Sequence, residues 1–186
     1  MSSTSKSILL RLRASNCFFV YFVILYIFVW NFVISTFFDL LCQVLMDDSI
    51  YFGFVDGASR HTRNLASAAW VIYYPSSQLM VSRGVCIGSA SNNIAEYTAV
   101  INLLSEAISY GIDSLVVYLD SQLVVSQLNN IYRVRDPYLY HQFFRVRMLQ
   151  RSFVYITYLH IPQFDNSLTD SIANQALDWH IIHSSR

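Results

Sequence analysis

The sequence predicts an α/β domain that follows an apolar N-terminal helix. After residue 48, short apolar runs rich in aromatic and β-branched residues alternate with segments of helical period, in the order βββαβααβα. Three consecutive strands indicate an antiparallel meander, and later strands that are reached through helices add to it in parallel. We therefore expect residues 49–186 to form a mixed five-stranded sheet, three strands antiparallel and then parallel additions, flanked by helices.

The predicted helices and strands follow from local patterns. The clearest helix has Asn93 as its expected N-cap, carries one apolar stripe and ends at Gly111. The other helices are predicted over residues 121–129, 137–150 and 167–179. The strands are predicted over residues 50–56, 68–74, 79–87, 114–120 and 153–160.

Residues 1–45 form a separate N-terminal extension in this interpretation. Residues 17–38 read CFFVYFVILYIFVWNFVISTFF and carry no charge. A helix of this length crosses roughly 30 Å of hydrocarbon, so the segment is a candidate transmembrane helix and a route to a membrane. Lysine and arginine precede it and aspartate follows it, which favours a cytoplasmic N-terminus. Two alternatives stay open: the apolar region of a targeting peptide, or sequence upstream of the domain's true start.

Charge and cysteine content exclude some classes of function. The net charge is zero, with nine arginines and nine acids after residue 48, so no global basic field attracts nucleic acid. Five of these arginines lie within residues 133–151, where they either contact phosphates or form a solvated face. Three scattered cysteines without a CxxC pair indicate neither a disulfide framework nor a zinc site.

Four acidic residues fall where predicted elements begin or end. Strand ends and helix starts gather at the crevice beside such a sheet, so these carboxylates can converge. Converging carboxylates repel one another unless a cation lies among them, and hard oxygen ligands select Mg²⁺ or Mn²⁺. Taken singly, each acid is explained by a helix cap or a turn. The four are Asp56, Glu96, Asp120 and Asp170.

The sequence motifs around these acids resemble those of a known family. They are VDGAS at 55–59, SNNIAEYTAV at 91–100, LDSQLVVSQL at 119–128 and HIPQFDNSLTD at 160–170. Together and in this order they resemble ribonuclease H type 1, in particular the plant form found in retroelements. The resemblance covers nearly all of the chain after residue 48. It implies a ribonuclease H-like fold and a nuclease that hydrolyses the RNA strand of RNA–DNA hybrids.

The resemblance also implies a role for each matching residue. The four acids correspond to ligands of two Mg²⁺ ions, for which Mn²⁺ is a substitute. His160 matches a loop histidine that assists the attacking water or the departure of product. Three polar residues match contacts to the minor groove of the RNA–DNA hybrid, and the domain is expected to be monomeric. These three residues are Asn92, Asn93 and Gln122.

Two departures from the family leave alternatives open. The segment RHTRNLASAAW after VDGAS has no glycine, and Gln163 replaces an arginine common in the plant form. The zero net charge and the N-terminal extension favour a first alternative, a catalytically inactive nucleic-acid-binding or retroelement-derived domain. The second is a membrane protein that works through residues 17–38. We expect a membrane-anchored protein if that segment is an anchor, and otherwise a nuclear, cytoplasmic or organellar one.

Overall fold

A computed structural model describes residues 50–184. Its five strands are β1 (Tyr51–Arg60), β2 (Leu65–Tyr73), β3 (Leu79–Gly88), β4 (Ser114–Leu119) and β5 (Tyr155–His160). Its four α-helices are α1 (Asn92–Ser109), α2 (Gln122–Leu128), α3 (Pro137–Gln150) and α4 (Ser167–Ser184). Two short 3-10 helices cover His61–Arg63 and Gln163–Asn166. The predicted order of strands and helices is confirmed.

The strands form one mixed sheet in the order β3-β2-β1-β4-β5. β1, β2 and β3 pair antiparallel, while β4 pairs in parallel with both β1 and β5. The predicted five-stranded arrangement is therefore confirmed. The parallel pairing of β1 with β4 stops at Phe54 and Tyr118, whereas the pairing of β1 with β2 continues to Arg60. Beyond Phe54, β1 thus has a neighbour on one side only.

Helices cover both faces of this sheet. α1 packs against β1 and β2, and α4 packs against β1, β2 and β3. Gly53 and Gly57 of β1 face α1, whereas Gly84 of β3 faces α4. Asp56 of β1 pairs with Ala69 of β2, and Ala69 in turn pairs with Gly84 of β3. Side chains of residues paired in this way lie on the same face of a sheet. Asp56 therefore belongs to the face that carries α4, opposite to α1.

The hydrophobic core lies mainly between the sheet and α1. Val55, Ile72, Leu103 and Leu104 are all fully buried there. At about 25 cal/mol per Å² of buried apolar surface, such side chains supply most of the energy that fixes the helix on the sheet. The core therefore fixes where the first turns of α1 lie relative to the edge of the sheet.

The predicted cap of α1 is wrong by two residues. The helix begins at Asn92, and the hydroxyl of Ser91 accepts a hydrogen bond from the backbone N–H of Ile94 at 3.4 Å. Ser91 has extended backbone angles, as an N-cap requires, and Asn93 is already helical. The predicted end is confirmed, because Gly111 follows the last turn with φ of +72°.

The predicted end of β1 at Asp56 is also wrong. The strand continues to Arg60 because β2 keeps pairing with it to that point. The glycine-free segment then turns through the short helix His61–Arg63 and through Asn64, whose φ is +50°. Asparagine tolerates this left-handed conformation, so it takes the place that glycine would otherwise occupy.

No helix within residues 50–184 is long and apolar enough to cross a membrane. The extension at residues 1–45, with its candidate transmembrane helix at residues 17–38, lies outside the described residues. Both stay predictions.

Candidate metal centre

Gly57 allows α1 to approach β1 closely. A Cβ at this position would lie 2.3 Å from the backbone N of Glu96 and 2.5 Å from the carbonyl carbon of Ala95. Both neighbours are backbone atoms, which no side-chain rotation can move away. The glycine therefore lets the first turns of α1 lie against the strand, which brings Glu96 next to Asp56.

Three of the four predicted acids form a tight cluster. One carboxylate oxygen from each of Asp56, Glu96 and Asp120 lies within 4.8 Å of the other two. Asp56 lies in the part of β1 that extends beyond its pairing with β4, Glu96 lies in the second turn of α1, and Asp120 is the residue after β4. Such spacing allows three oxygens to bind one divalent cation. Neither Glu96 nor Asp120 is a helix cap, because Ser91 and Ser121 cap α1 and α2.

Asp170 lies at the same cleft but outside this tight cluster. It is the fourth residue of α4, and it lines a cleft of about 380 Å³ together with the other three acids. Asn174, one turn later, donates from Nδ2 to its carboxylate at 3.2 Å. The structure therefore brings all four predicted acids to one cleft. Asn174 was missed by the sequence analysis, although a spacing of four residues on a helix signals such a contact.

Burial and mutual repulsion disfavour ionised carboxylates in this cluster. Burial, with further contributions from Asp120 and Asp170, raises the pKa of Asp56 from 3.8 to about 7. Burial, followed by Asp56 and Asp120, raises the pKa of Glu96 from 4.5 to about 9. Burial also raises the pKa of Asp120. The backbone N–H of Gly57 opposes the first two shifts. Without a cation, protons therefore compensate part of the charge.

A buried oxygen of Glu96 has no hydrogen-bond partner. Glu96 is 2% exposed, and its Oε2 accepts no hydrogen bond from any described residue. An unpaired buried polar atom costs about 1–3 kcal/mol. A proton or a bound cation would remove this cost, so the donor set fits a hard divalent ion.

Asn166 orients the cluster and was missed by the sequence analysis. Its side chain is 1% exposed and donates from Nδ2 to the backbone carbonyl of Val55 at 2.9 Å. It also hydrogen-bonds to the carboxylate of Asp120, which lowers the pKa of that group against the effect of burial. One amide thus links β1 to the residue after β4. The only sequence signal was a polar residue inside the word HIPQFDNSLTD.

His160 is the last residue of β5 and lies beside Asp120. Its Nε2 is 3.2 Å from the backbone carbonyl oxygen of Asp120, and the residue is exposed. β4 and β5 are parallel neighbours, so the residues that end them meet at one edge of the sheet. The structure therefore brings the predicted histidine to the rim of the cleft.

The predicted substrate contacts lie where α1 and α2 begin. Asn92 is exposed and lines the cleft, while Asn93 is half-buried. Gln122 is exposed and donates from Nε2 to the hydroxyl of Ser126 at 3.1 Å. Gln163 also lines the cleft and is exposed. Of the three predicted substrate contacts, Asn92 therefore lines the cleft, whereas Asn93 and Gln122 lie outside its lining.

The side chain of Arg147 packs against neighbouring residues and does not form part of a solvated face. It is half-buried, donates to the backbone carbonyl of Leu128 at 2.8 Å and to the side chain of Asn130, and lies over the ring of Phe143. It holds α3 against the end of α2. The other four arginines of residues 133–151 are exposed, and both predicted interpretations stay open for them.

Comparison with known proteins decides the family. A family model described as "Reverse transcriptase-like" matches residues 54–176, more than half of the chain. The chain belongs to this family. The curated protein "Ribonuclease HI" of Halobacterium salinarum is 37% identical over 125 residues, which cover 67% of this chain. The match spans 63% of that relative's length.

Solved structures agree with this family. RNase H1 from Halobacterium salinarum superposes with a TM-score of 0.67 at 36% identity and covers 69% of this chain and 98% of that one. LC11-RNase H1 in complex with an RNA/DNA hybrid gives a TM-score of 0.67 at 27% identity and covers 70% of this chain and 99% of that one. The domain is therefore a ribonuclease H type 1 domain, as the four sequence words indicated.

Proposed function

We propose that this ribonuclease H type 1 domain is a metal-dependent endonuclease that hydrolyses the RNA strand of RNA–DNA hybrids. The convergence of buried Asp56 and Glu96 with half-buried Asp120 in one cluster carries the proposal, because an unneutralised cluster of this kind disfavours the fold. The names of the relatives support the reaction and the substrate.

The four acids at the cleft would hold two Mg²⁺ ions, with Mn²⁺ as a substitute. The oxygen-only donor set and the unpaired Oε2 of Glu96 fit hard cations of this kind. When bound, the ions supply Lewis-acid polarisation of the scissile phosphate and lower the pKa of water. In this proposal Asp56, Glu96, Asp120 and Asp170 are the ligands.

Other side chains would orient the acidic residues or transfer a proton during the reaction. Asn166 holds the carboxylate of Asp120 and Asn174 holds that of Asp170, so both acids face the cleft in fixed orientations. His160 is exposed at the rim, where it can exchange a proton with solvent. We assign to it proton transfer to the attacking water or to the departing product.

Three polar side chains at the starts of α1 and α2 would contact the minor groove of the hybrid. A helix of A-like form presents a wide, shallow minor groove with its 2′-hydroxyl groups, which distinguish RNA from DNA. Asn92, Asn93 and Gln122 are amides that can both donate to and accept from such groups. The exposed arginines of residues 133–151 would add phosphate contacts.

The test uses the purified full chain beside its Asp120→Asn variant. Each is incubated with a labelled RNA–DNA hybrid, duplex RNA or duplex DNA, in Mg²⁺ or in chelator. We expect cutting of the hybrid's RNA strand alone, in Mg²⁺ alone, leaving 5′-phosphate and 3′-hydroxyl ends. The variant should lose cleavage and keep hybrid binding. A folded parent that cuts none of the three substrates would contradict the proposal.

A nucleic-acid-binding domain without activity is the second candidate. The zero net charge and the glutamine at position 163 favour it, because both reduce the phosphate contacts of an efficient enzyme. In the same assay this candidate requires hybrid binding by the parent without cleavage. Cleavage by the parent excludes it.

The location of the protein depends on residues 17–38. We propose that the protein is membrane-anchored if this segment is an anchor, and nuclear, cytoplasmic or organellar otherwise. Fractionation of cells that express the full chain tests this, with a variant that lacks residues 17–38 as the control. Full chain in the soluble fraction would contradict the anchor, and a nuclear, cytoplasmic or organellar protein would be the remaining interpretation.

A further inference from the structure

A second cavity, distinct from the acidic cleft, lies on the face of the sheet that carries α4. We call it the aromatic pocket; its volume is about 400 Å³. Its walls include Phe52 and Phe54 of β1, Tyr73 of β2 and Tyr118 of β4. Of the residues that line it, none also lines the acidic cleft.

The rings in this pocket form a continuous apolar wall. Phe54 stacks on Tyr118 with 4.8 Å between ring centroids, and it meets Tyr73 edge-on at 5.6 Å. All four rings are half-buried, although aromatic side chains in a sheet are usually covered by a helix. A flat aromatic ligand fits such a wall, because aromatic pairs in stacked or edge-on geometry attract one another beyond the burial of apolar area.

The polar side of the pocket combines two strong hydrogen-bond acceptors, Asp165 and Asn166, with the hydroxyl groups of Ser77 and Thr169, which can donate or accept. Asp165 and Asn166 line it where the short helix Gln163–Asn166 meets α4. The amide nitrogen of Asn166 is already used by Val55 and Asp120, whereas its buried Oδ1 has no hydrogen-bond partner. The residues that line the pocket include no arginine, lysine or histidine. A ligand that satisfies the carboxylate of Asp165 and the unpartnered Oδ1 of Asn166 therefore presents N–H donors to them, and it carries no phosphate.

We propose that the aromatic pocket binds a planar heteroaromatic base with adjacent N–H donors, of the guanine type, as the uncharged nucleoside. The ring system would stack on the aromatic wall, while its N–H groups would donate to the carboxylate of Asp165 and to Oδ1 of Asn166. A carboxylate accepts two parallel N–H donors, which matches the neighbouring ring and exocyclic N–H groups of guanine. The argument for this site does not rest on the proposed nuclease activity, although Asn166 takes part in both, since its amide nitrogen also holds Asp120.

Guanosine is the probe for the test, because it carries both donors and no phosphate. Its binding to the full chain is measured by calorimetry and by saturation-transfer NMR, beside inosine, which lacks the exocyclic amine, and guanosine 5′-monophosphate. We expect guanosine to bind more tightly than inosine, by about fivefold to tenfold for one lost hydrogen bond. The monophosphate should bind no more tightly than guanosine, because the residues that line the pocket include no arginine, lysine or histidine to pair with its phosphate.

Two variants locate the binding. Asp165→Asn should weaken guanosine by about tenfold or more, because a hydrogen-bonded charge contributes about 1.5–3 kcal/mol. Leu168→Trp should block the pocket from its exposed rim. Asp178→Asn is the matched control, because it removes the same charge from an exposed site that pairs with Arg60. Absence of guanosine binding to the parent, or equal binding by Asp165→Asn, would overturn the proposal.

Discussion

Replacing Asp56 by asparagine should stabilise the metal-free protein at alkaline pH. The side chain of Asp56 is 5% exposed and its pKa is raised from 3.8 to about 7, chiefly by burial and then by Asp120 and Asp170. Asparagine has nearly the same shape and no charge. It can still accept the hydrogen bond that the backbone N–H of Gly57 gives to the carboxylate.

The expected magnitude follows from the two pKa values. Between pH 3.8 and about 7 the folded protein holds a proton that the unfolded chain has lost, so stability falls as pH rises through this range. Above a pH of about 7 this loss of folding stability is complete. At about 1.4 kcal/mol per pH unit it amounts to about 4 kcal/mol. The variant avoids this loss, so its advantage should be small near pH 4 and about 2–4 kcal/mol at pH 8.

Urea unfolding of the full chain at pH 4.5 and pH 8, in chelator and in Mg²⁺, measures this difference. We expect Mg²⁺ to stabilise the parent at pH 8 and to have little effect on Asp56→Asn, because the variant lacks one ligand. Asp113→Asn is the control, since Asp113 is exposed and lies outside the cluster. A variant that is less stable than the parent at pH 8 in chelator would refute the electrostatic reasoning.

Three further changes test the neighbouring residues. Gly57→Ala should destabilise the fold by about 1–3 kcal/mol in urea unfolding and weaken Mg²⁺ binding, because its Cβ would overlap the backbone of α1; Gly53→Ala, which faces a flexible leucine side chain, should cost less. Asn166→Ala should reduce hybrid cleavage about 10- to 100-fold by releasing Asp120, and unchanged cleavage would contradict that role. Gln163→Arg should tighten hybrid binding and steepen its dependence on log salt by about one unit, as measured by fluorescence anisotropy; an unchanged slope would show that residue 163 does not contact phosphate.

The sequence predicted the sheet and the four acids because both leave local signals. Apolar runs of strand length, separated by helical periods, determine the order of the elements, and the motif words identified Asp56, Glu96, Asp120 and Asp170. The parallel addition of β4 and β5 also followed from their helical connections. These features depend on neighbouring residues in the chain, so one sequence was sufficient to predict them.

Features that depend on contacts between distant residues escaped prediction. Gly57 lies inside β1, because Ala68 pairs with it, and α1 packs directly on it, a contact that no local pattern signals. Asn166 gave no pattern of its own, and its contact to Val55 spans 111 positions in sequence. The aromatic pocket likewise forms only when Phe54 and Tyr118 become neighbours across two strands. Alternation along each strand cannot reveal such pairs.

A Mg²⁺ titration of RNA–DNA hybrid cleavage by the full chain and by Glu96→Gln tests the central claim most directly. Glutamine preserves the shape of a side chain that is 2% exposed and removes the charge that the proposed ions require. We expect saturable, Mg²⁺-dependent cutting of the RNA strand by the parent, and loss of that cutting in a variant that stays folded. Equal cleavage by both proteins, or no cleavage by the folded parent at any Mg²⁺ concentration, would contradict the assignment of the acidic cluster as a catalytic metal centre.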